Sequence, residues 1–339
     1  MKKPLSIHAV PRNAGHMNAV YDAVCPLIAG WVRDILGVDG GVANGWHLTG
    51  AGMSLSCPKV NESSPAVISA ASISGGKSVN QDACGWRMIT KPGGGGVRVV
   101  AVADGVSGSL YSEFGAMLAI VAALRAGASW AESGGGLEGI YIHGLAECRS
   151  QMGRVVERIR SELERTVETN SSQMGAQGVE EARRQLDIFN QDGAEPLCTT
   201  ALVLVACGNH VEGMSIGNGG IYRCGGATLE PLWWQVDSDD LREYVGVGTT
   251  PQRASYSFED TWKGEAGAVG LATDGVGSFE RFKQVYLRRA SWPSGKLLLE
   301  DVLSDMSRRG VSLDLIDNLT VAEVGMAATD NGGSSAYGA

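Results

Sequence analysis

The sequence predicts an α+β fold, on three observations. Runs of β-branched and small residues come first, long helical patterns fill the middle, and strand character then returns toward the C-terminus, an order unlike the regular alternation of a parallel βαβ series. Glycine, at 48 of 339 residues, is about twice its usual share of about 7%, as an architecture rich in tight turns requires.

An apolar, helix-like stretch covers 23–36, and a polar segment from Ser56-Cys57-Pro58 to Ser64-Pro65 reads as a linker. Strands are expected at 66–74 and 85–90, and a four-glycine turn leads into a third at 97–103, the apolar run Val-Arg-Val-Val-Ala-Val-Ala. Phe114, Met117, Leu118, Val121 and Leu124 recur at helical spacing over 111–125, and two amphipathic helices follow over 145–167 and 179–189. Strands at 199–206, 211–216 and 221–224, joined by short turns, read as a meander. A strand at 268–273, a helix near 297–308 and a strand at 319–324 complete the pattern. The division expected is an N-terminal extension of unknown role (1–64), one catalytic domain (65–326) and a disordered tail rich in Gly, Ser and Ala (327–339).

Composition excludes several classes of function. Hydrophobic residues at 44% and charged residues at 19% belong to a chain that buries a large core. The net charge of -9, with no basic cluster to track a phosphate backbone, argues against nucleic acid as a partner. Seven cysteines without a Cys-x-x-Cys pair fit a reducing cytoplasm. No apolar run of signal-peptide type follows Met1-Lys2-Lys3-Pro4, and Asp22, Pro26, Arg33 and Asp34 interrupt the first apolar stretch, so no membrane anchor is expected. Trp233-Trp234, with Trp262 nearby, reads as packing rather than as a substrate platform, and oligomeric state is left open.

Aspartates recur at strand ends. Val102-Ala103-Asp104-Gly105 and Leu271-Ala272-Thr273-Asp274-Gly275 each end an apolar strand, Asp317-Asn318-Leu319-Thr320 begins another, and Asn80-Gln81-Asp82 lies between the first two. Alone, each Asp-Gly is turn chemistry, as Asp39-Gly40 and Asp192-Gly193 illustrate. Several carboxylates converging on one point require a divalent cation to neutralise them.

The ordered set Gly76-Lys77 to Asp82, Ala103-Asp104-Gly105, Cys198-Thr199-Thr200, Thr273-Asp274-Gly275 and Asp317-Asn318, spread over 66–326, resembles the protein phosphatase 2C family in a divergent form. The resemblance implies a four-layer αββα sandwich, two antiparallel sheets flanked by helices, with a metal site at one end. It implies two Mn²⁺ or Mg²⁺ ions, with Asp104 bridging them, the Gly105 carbonyl on one, Asp274 and Asp317 completing the other, and Asp82 holding the attacking water. Glu195 matches an acidic residue that some members use for a weaker third cation. The reaction implied is hydrolysis of phosphoserine and phosphothreonine in a phosphorylated protein substrate.

This chain departs from the family pattern at three places. Lys77 stands where an arginine usually grips the phosphate, Gly217-Asn218-Gly219-Gly220 replaces a charged Gly-Asp-Ser-Arg turn, and Val106 to Ser109 carry no histidine beside Asp104. Its five histidines lie away from the motifs. Two other readings therefore stay open, an inactive module that binds phosphoproteins or regulates a partner, and a binding sandwich with calcium-binding turns.

Overall fold

A computed structural model describes residues 46–50, 53–57, 68–73, 80–90, 96–169, 175–190, 195–225, 228–236, 244–248, 251–263, 266–287 and 317–328, with helical positions 26, 28, 30–32 and 34. In chain order the strands are β1 (Trp46–Gly50), β2 (Met53–Cys57), β3 (Ile68–Ile73), β4 (Ala83–Thr90), β5 (Gly96–Ala103), β6 (Ala201–Cys207), β7 (His210–Ile216), β8 (Gly219–Gly225), β9 (Thr228–Gln235), β10 (Tyr256–Thr261), β11 (Gly267–Ala272) and β12 (Leu319–Met326). Three helices, α1 (Ser112–Ser133), α2 (Leu137–Thr169) and α3 (Gly175–Phe189), lie between β5 and β6, and α4 (Phe279–Leu287) lies between β11 and β12.

The strands form two antiparallel sheets. Seven strands make the first, in the order β10-β7-β6-β5-β4-β1-β2, and five make the second, in the order β3-β12-β11-β8-β9. Strand β5 shows why both its faces are apolar. Val97, Val99, Ala101 and Ala103 join the core beneath the helices, while the alternate Val100 and Val102 join the core between the sheets. Leu202, Leu204, Ile221, Val269, Leu271, Ala322 and Val324 fill that inter-sheet layer. Each Val, Leu or Ile side chain among them, fully buried, is worth about 1.5–3 kcal/mol against exposure.

Helix α1 packs against the first sheet and α2. It is long and apolar enough to cross a membrane, but 83% of its most apolar window is buried inside the protein. Tyr111 caps it in the left-handed region (φ 58), and Gly134 ends it in the same region, returning its N–H to the Trp130 carbonyl. Buried positions on α2 recur every three or four residues, from Leu137 and Tyr141 to Ile159 and Leu163, so one face meets α1. On the far side, α4 lays Phe282 and Tyr286 against Tyr222, Leu319 and Val321 of the second sheet. Tyr222 and Tyr286 both donate to Oε1 of the buried Glu323, at 2.8 and 2.5 Å. The four layers expected, αββα, are all present.

Several elements differ from the sequence reading. The meander is broken: β6 and β7 belong to the first sheet, but β8 belongs to the second. Gly217 (φ 80) and Gly219 (φ 126) turn the chain from one sheet to the other, a path that side chains with a Cβ rarely take. Ser56 and Cys57, expected in a linker, pair with His47 and Trp46, and β1 in turn pairs with β4. Residues of the N-terminal extension thus supply two strands of the first sheet, while Ile28 and Val32 enter the core. Strands β9 and β10 and helix α4 were not expected. The helix expected near 297–308 lies outside the described residues, as do 329–339.

Glu212 on β7 ties the helices to the first sheet. Its Oε1 accepts Trp130 Nε1 and its Oε2 accepts the backbone N–H of Leu137, both at 2.8 Å, so one carboxylate holds the end of α1 and the start of α2. Glu212→Ala leaves both donors unsatisfied and is expected to lower stability by about 2–3 kcal/mol, since hydrogen bonds to charged groups contribute about 1.5–3 kcal/mol. Urea unfolding checks this, and a change below about 0.5 kcal/mol would rule out the clamp.

Candidate metal centre

The aspartates singled out in the sequence meet at one end of the sandwich. Asp104 follows the last residue of β5 and is fixed through its backbone: its N–H donates to Thr200 Oγ1 at 2.9 Å, and its carbonyl accepts Thr200 N–H at 2.8 Å and Thr199 Oγ1 at 2.9 Å. This gives the Thr199-Thr200 pair its role. Gly105 next to it allows a close approach, because a Cβ there would lie 2.8 Å from Ser112 and 2.9 Å from the Gln81 carbonyl. Gly105 N–H donates to that carbonyl at 3.2 Å, and Gln81 Nε2 donates to Ser112 Oγ at 2.8 Å. The segment carrying Asp82 is thereby stitched to the segment carrying Asp104.

Asp82 is 1% exposed. Its N–H donates to Asn80 Oδ1 at 3.1 Å, and Asn80 Nδ2 donates to Ser72 Oγ at 2.8 Å. Asp82 Oδ2 accepts Thr273 Oγ1 at 2.8 Å, and the same Thr273 oxygen accepts Thr320 N–H at 2.9 Å. A carboxylate of the first sheet is thus held by two threonines of the second.

Asp274 follows β11 in a tight turn closed by Gly277 N–H on its carbonyl at 2.5 Å. Asp317 precedes β12, with Oδ1 accepting Asn318 N–H at 2.7 Å and its own N–H donating to the Gly275 carbonyl at 3.3 Å. Gly275 is obligatory, since a Cβ would lie 1.9 Å from the Asn318 carbonyl oxygen. Behind this turn Trp234 Nε1 donates to the Gly277 carbonyl at 2.9 Å, while Trp233 stacks on Tyr256 and Trp262 is buried, so all three tryptophans are packing residues.

The electrostatics follow from this crowding. Burial pushes Asp82 up to about 6, opposed by hydrogen bonds from Asp104, Thr320 and Thr273 and reinforced by the charge of Asp317. Burial also pushes Asp104 well above the usual carboxylate range, helped by the charges of Asp82, Asp274 and Asp317. Asp82 Oδ1 is buried without a hydrogen-bond partner. An orphaned oxygen among mutually repelling carboxylates, all of them hard donors, fits Mg²⁺ or Mn²⁺ and not a site built for zinc.

The remaining expectations fare differently. Lys77 lies outside the described residues. Glu195 Oε2 accepts Gly248 N–H at 3.1 Å and its carbonyl accepts Ser109 Oγ at 2.7 Å, so its carboxylate is engaged with the 246–248 loop. Its charge acts on Cys198, whose thiol is pushed up to about 11, first by burial. His210, Glu212 and Glu259 gather potential ligand atoms on β7 and β10, at the far end of β7 from Asn218. Both Glu212 oxygens there already bind Trp130 and Leu137, which makes that group a structural clamp. Asn218 was read from the sequence only as a turn that lost its charge, yet its Nδ2 donates to Asp274 Oδ2 at 2.8 Å. Thr273 and Thr320 carried no sequence signal beyond their place beside the aspartates.

Among solved structures, the chain is similar to an S. agalactiae serine/threonine phosphatase (16% identity, TM-score 0.44, 78% of this chain and 100% of that one). It is also similar to the serine/threonine phosphatase Stp1 from Staphylococcus aureus (14%, 0.43, 80% and 99%) and to the catalytic domain of the phosphatase PstP in complex with two manganese ions (15%, 0.42, 77% and 98%). No curated protein matches it. The family model for protein phosphatase 2C matches residues 71–317, well over half of the chain and a span that contains the four aspartates, and this protein belongs to that family.

Proposed function

We propose that this protein hydrolyses phosphoserine and phosphothreonine in proteins with the help of divalent cations. The convergence of Asp82, Asp104, Asp274 and Asp317 from both sheets carries the reading. Asp104, Asp274, Asp317 and the Gly105 carbonyl would hold Mn²⁺ or Mg²⁺, with Asp82 beside them. Bound there, such cations supply positive charge to the phosphoryl oxygens and make water a nucleophile at neutral pH.

The chain's own groups do the positioning. Thr273 fixes Asp82 Oδ2, which leaves Oδ1 to accept a hydrogen bond from the attacking water. Lys77 is assigned to the substrate phosphate as a point charge without the bidentate grip of arginine. No imidazole stands within Val106 to Ser109, which would leave a water held at the centre to protonate the leaving alkoxide. The neutral Asn218 turn keeps a second reading in view, a phosphoprotein-binding module without turnover.

Phosphate release from a phosphothreonine peptide and from an aryl phosphate in Mn²⁺ decides between them. Activity is expected, with Asp104→Asn and Asp274→Asn each losing at least about 100-fold, since even outer-shell partners of a metal are worth about 10–100-fold. Activity indifferent to chelator would end the metal reading, and Mn²⁺ binding without turnover would favour the binding module. In the same assay Lys77→Ala is expected to raise KM and lower kcat/KM, while Lys77→Arg retains activity; unchanged kcat/KM in Lys77→Ala would leave phosphate to the metals alone.

A pH dependence of the metal-free protein follows as well. Asp82 is raised from 3.8 to about 6, so between these values the folded chain holds a proton that the unfolded chain has released, and Asp104, also raised, acts in the same direction. The stability Asp82 contributes is full below about pH 4, near the ordinary carboxylate value, and falls as pH rises through 6. Urea midpoints in chelator should therefore decline from pH 4 to 7 more steeply than in Asp82→Asn, and parallel profiles would contradict the assignment.

A further inference from the structure

We propose that Asn218 is a positioning residue of this centre, whose side-chain amide holds the Asp274 carboxylate in the orientation a cation requires; the proposal rests on the reading of Asp274 as a metal ligand. Asn218 Nδ2 lies 2.8 Å from Asp274 Oδ2. An ionised carboxylate only accepts hydrogen bonds, so the amide presents its NH₂ group and fixes the orientation of that oxygen.

Both partners are held rigidly. Gly217 (φ 80) and Gly219 (φ 126) flank Asn218 in conformations that favour glycine. Ser255 Oγ accepts Gly217 N–H at 3.0 Å and Ser215 Oγ donates to the Gly217 carbonyl at 3.1 Å. A Cβ on Gly219 would lie 2.8 Å from the Ala272 carbonyl oxygen, so the crossover between the sheets presses on the end of β11, two residues before Asp274. Gly220 lies against the Trp234 ring, Trp234 Nε1 donates to the Gly277 carbonyl at 2.9 Å, and Gly277 N–H closes the Asp274 turn at 2.5 Å. The contacts run in a closed circuit from Asn218 to Asp274, through the turn to Trp234, and back to the crossover.

The amide's neutrality matters as much as its geometry. Asp104 already feels the charges of Asp82, Asp274 and Asp317, and an uncharged donor at 218 orients one of these without adding a fifth carboxylate. A carboxylate at 218 would face the Asp274 carboxylate at hydrogen-bond distance, where like charges repel.

Calorimetric titration of the full chain with Mn²⁺, together with thermal unfolding in chelator and in Mn²⁺, tests this. Asn218→Ala is expected to weaken Mn²⁺ binding about 10–100-fold, the range for outer-shell partners of a ligand, with a chelator Tm near that of the unmodified protein. Asn218→Asp is expected to have a lower Tm in chelator and a larger gain in Tm on adding Mn²⁺. Unmodified affinity in Asn218→Ala overturns the proposal, including when its Tm falls equally with and without Mn²⁺, which would mark a purely structural residue. Should Asn218→Ala not fold, a Mn²⁺ gain in Asn218→Asp no larger than that of the unmodified chain overturns it. Failure of the unmodified chain to bind Mn²⁺ would instead remove the metal centre itself and this proposal with it.

Discussion

Negative charges crowded together repel one another, and four carboxylates share one end of this sandwich. Burial and mutual repulsion raise both Asp82 and Asp104 above the ordinary carboxylate range. A protein does not assemble such a cluster cheaply. The backbone at Asp104 is clamped by two threonines, Asp82 by a third, and Asp274 by an asparagine. Every one of these partners is neutral, so orientation is achieved without cancelling the charge that a divalent cation would use.

The two sheets must meet for the site to exist at all. Asp82 and Asp104 flank adjacent strands of the first sheet, while Asp274 and Asp317 flank adjacent strands of the second. The Val and Leu layer between the sheets therefore sets the distance between the two halves of the centre. At its rim Gly105 and Gly275 let backbone segments touch where any side chain would force them apart. Arg98 closes the opposite end, reaching the Gly325 carbonyl of the second sheet and the Gly208 carbonyl at 3.0 Å. One end is closed by cation-to-carbonyl contacts, and the other is left rich in anionic oxygen.

Membership of the phosphatase 2C family and the departures at 77 and 218 bear on the same quantity, the charge available at the centre. Asn218 does not leave a gap where an acidic turn is expected, because its amide engages the neighbouring aspartate directly. Where the sequence loses a charged motif, the structure has an amide bonded to Asp274. Family membership supplies the reaction to test, and the local geometry says which side chains to substitute.

Much was legible in the sequence. The alternation of valines over 97–103 marks a strand apolar on both faces, the spacing from Phe114 to Leu124 marks a buried helix, and aspartates beside strand ends mark the site, since each of these depends on local periodicity or turn chemistry. Local pattern could not show that β8 leaves the sheet of β7, because a turn of glycines looks alike whether it folds the chain back or carries it across. Nor could it show the strands within 46–57, whose apolar content is low and whose pairing with β4 is a tertiary matter. The partners of the aspartates, from Thr273 on Asp82 to Asn218 on Asp274, lie 191 and 56 residues away along the chain. Residue type alone placed the carboxylates near strand ends; only the packing of two sheets could decide which hydroxyls and amides reach them, because hydrogen bonds over such separations exist only once the core has formed.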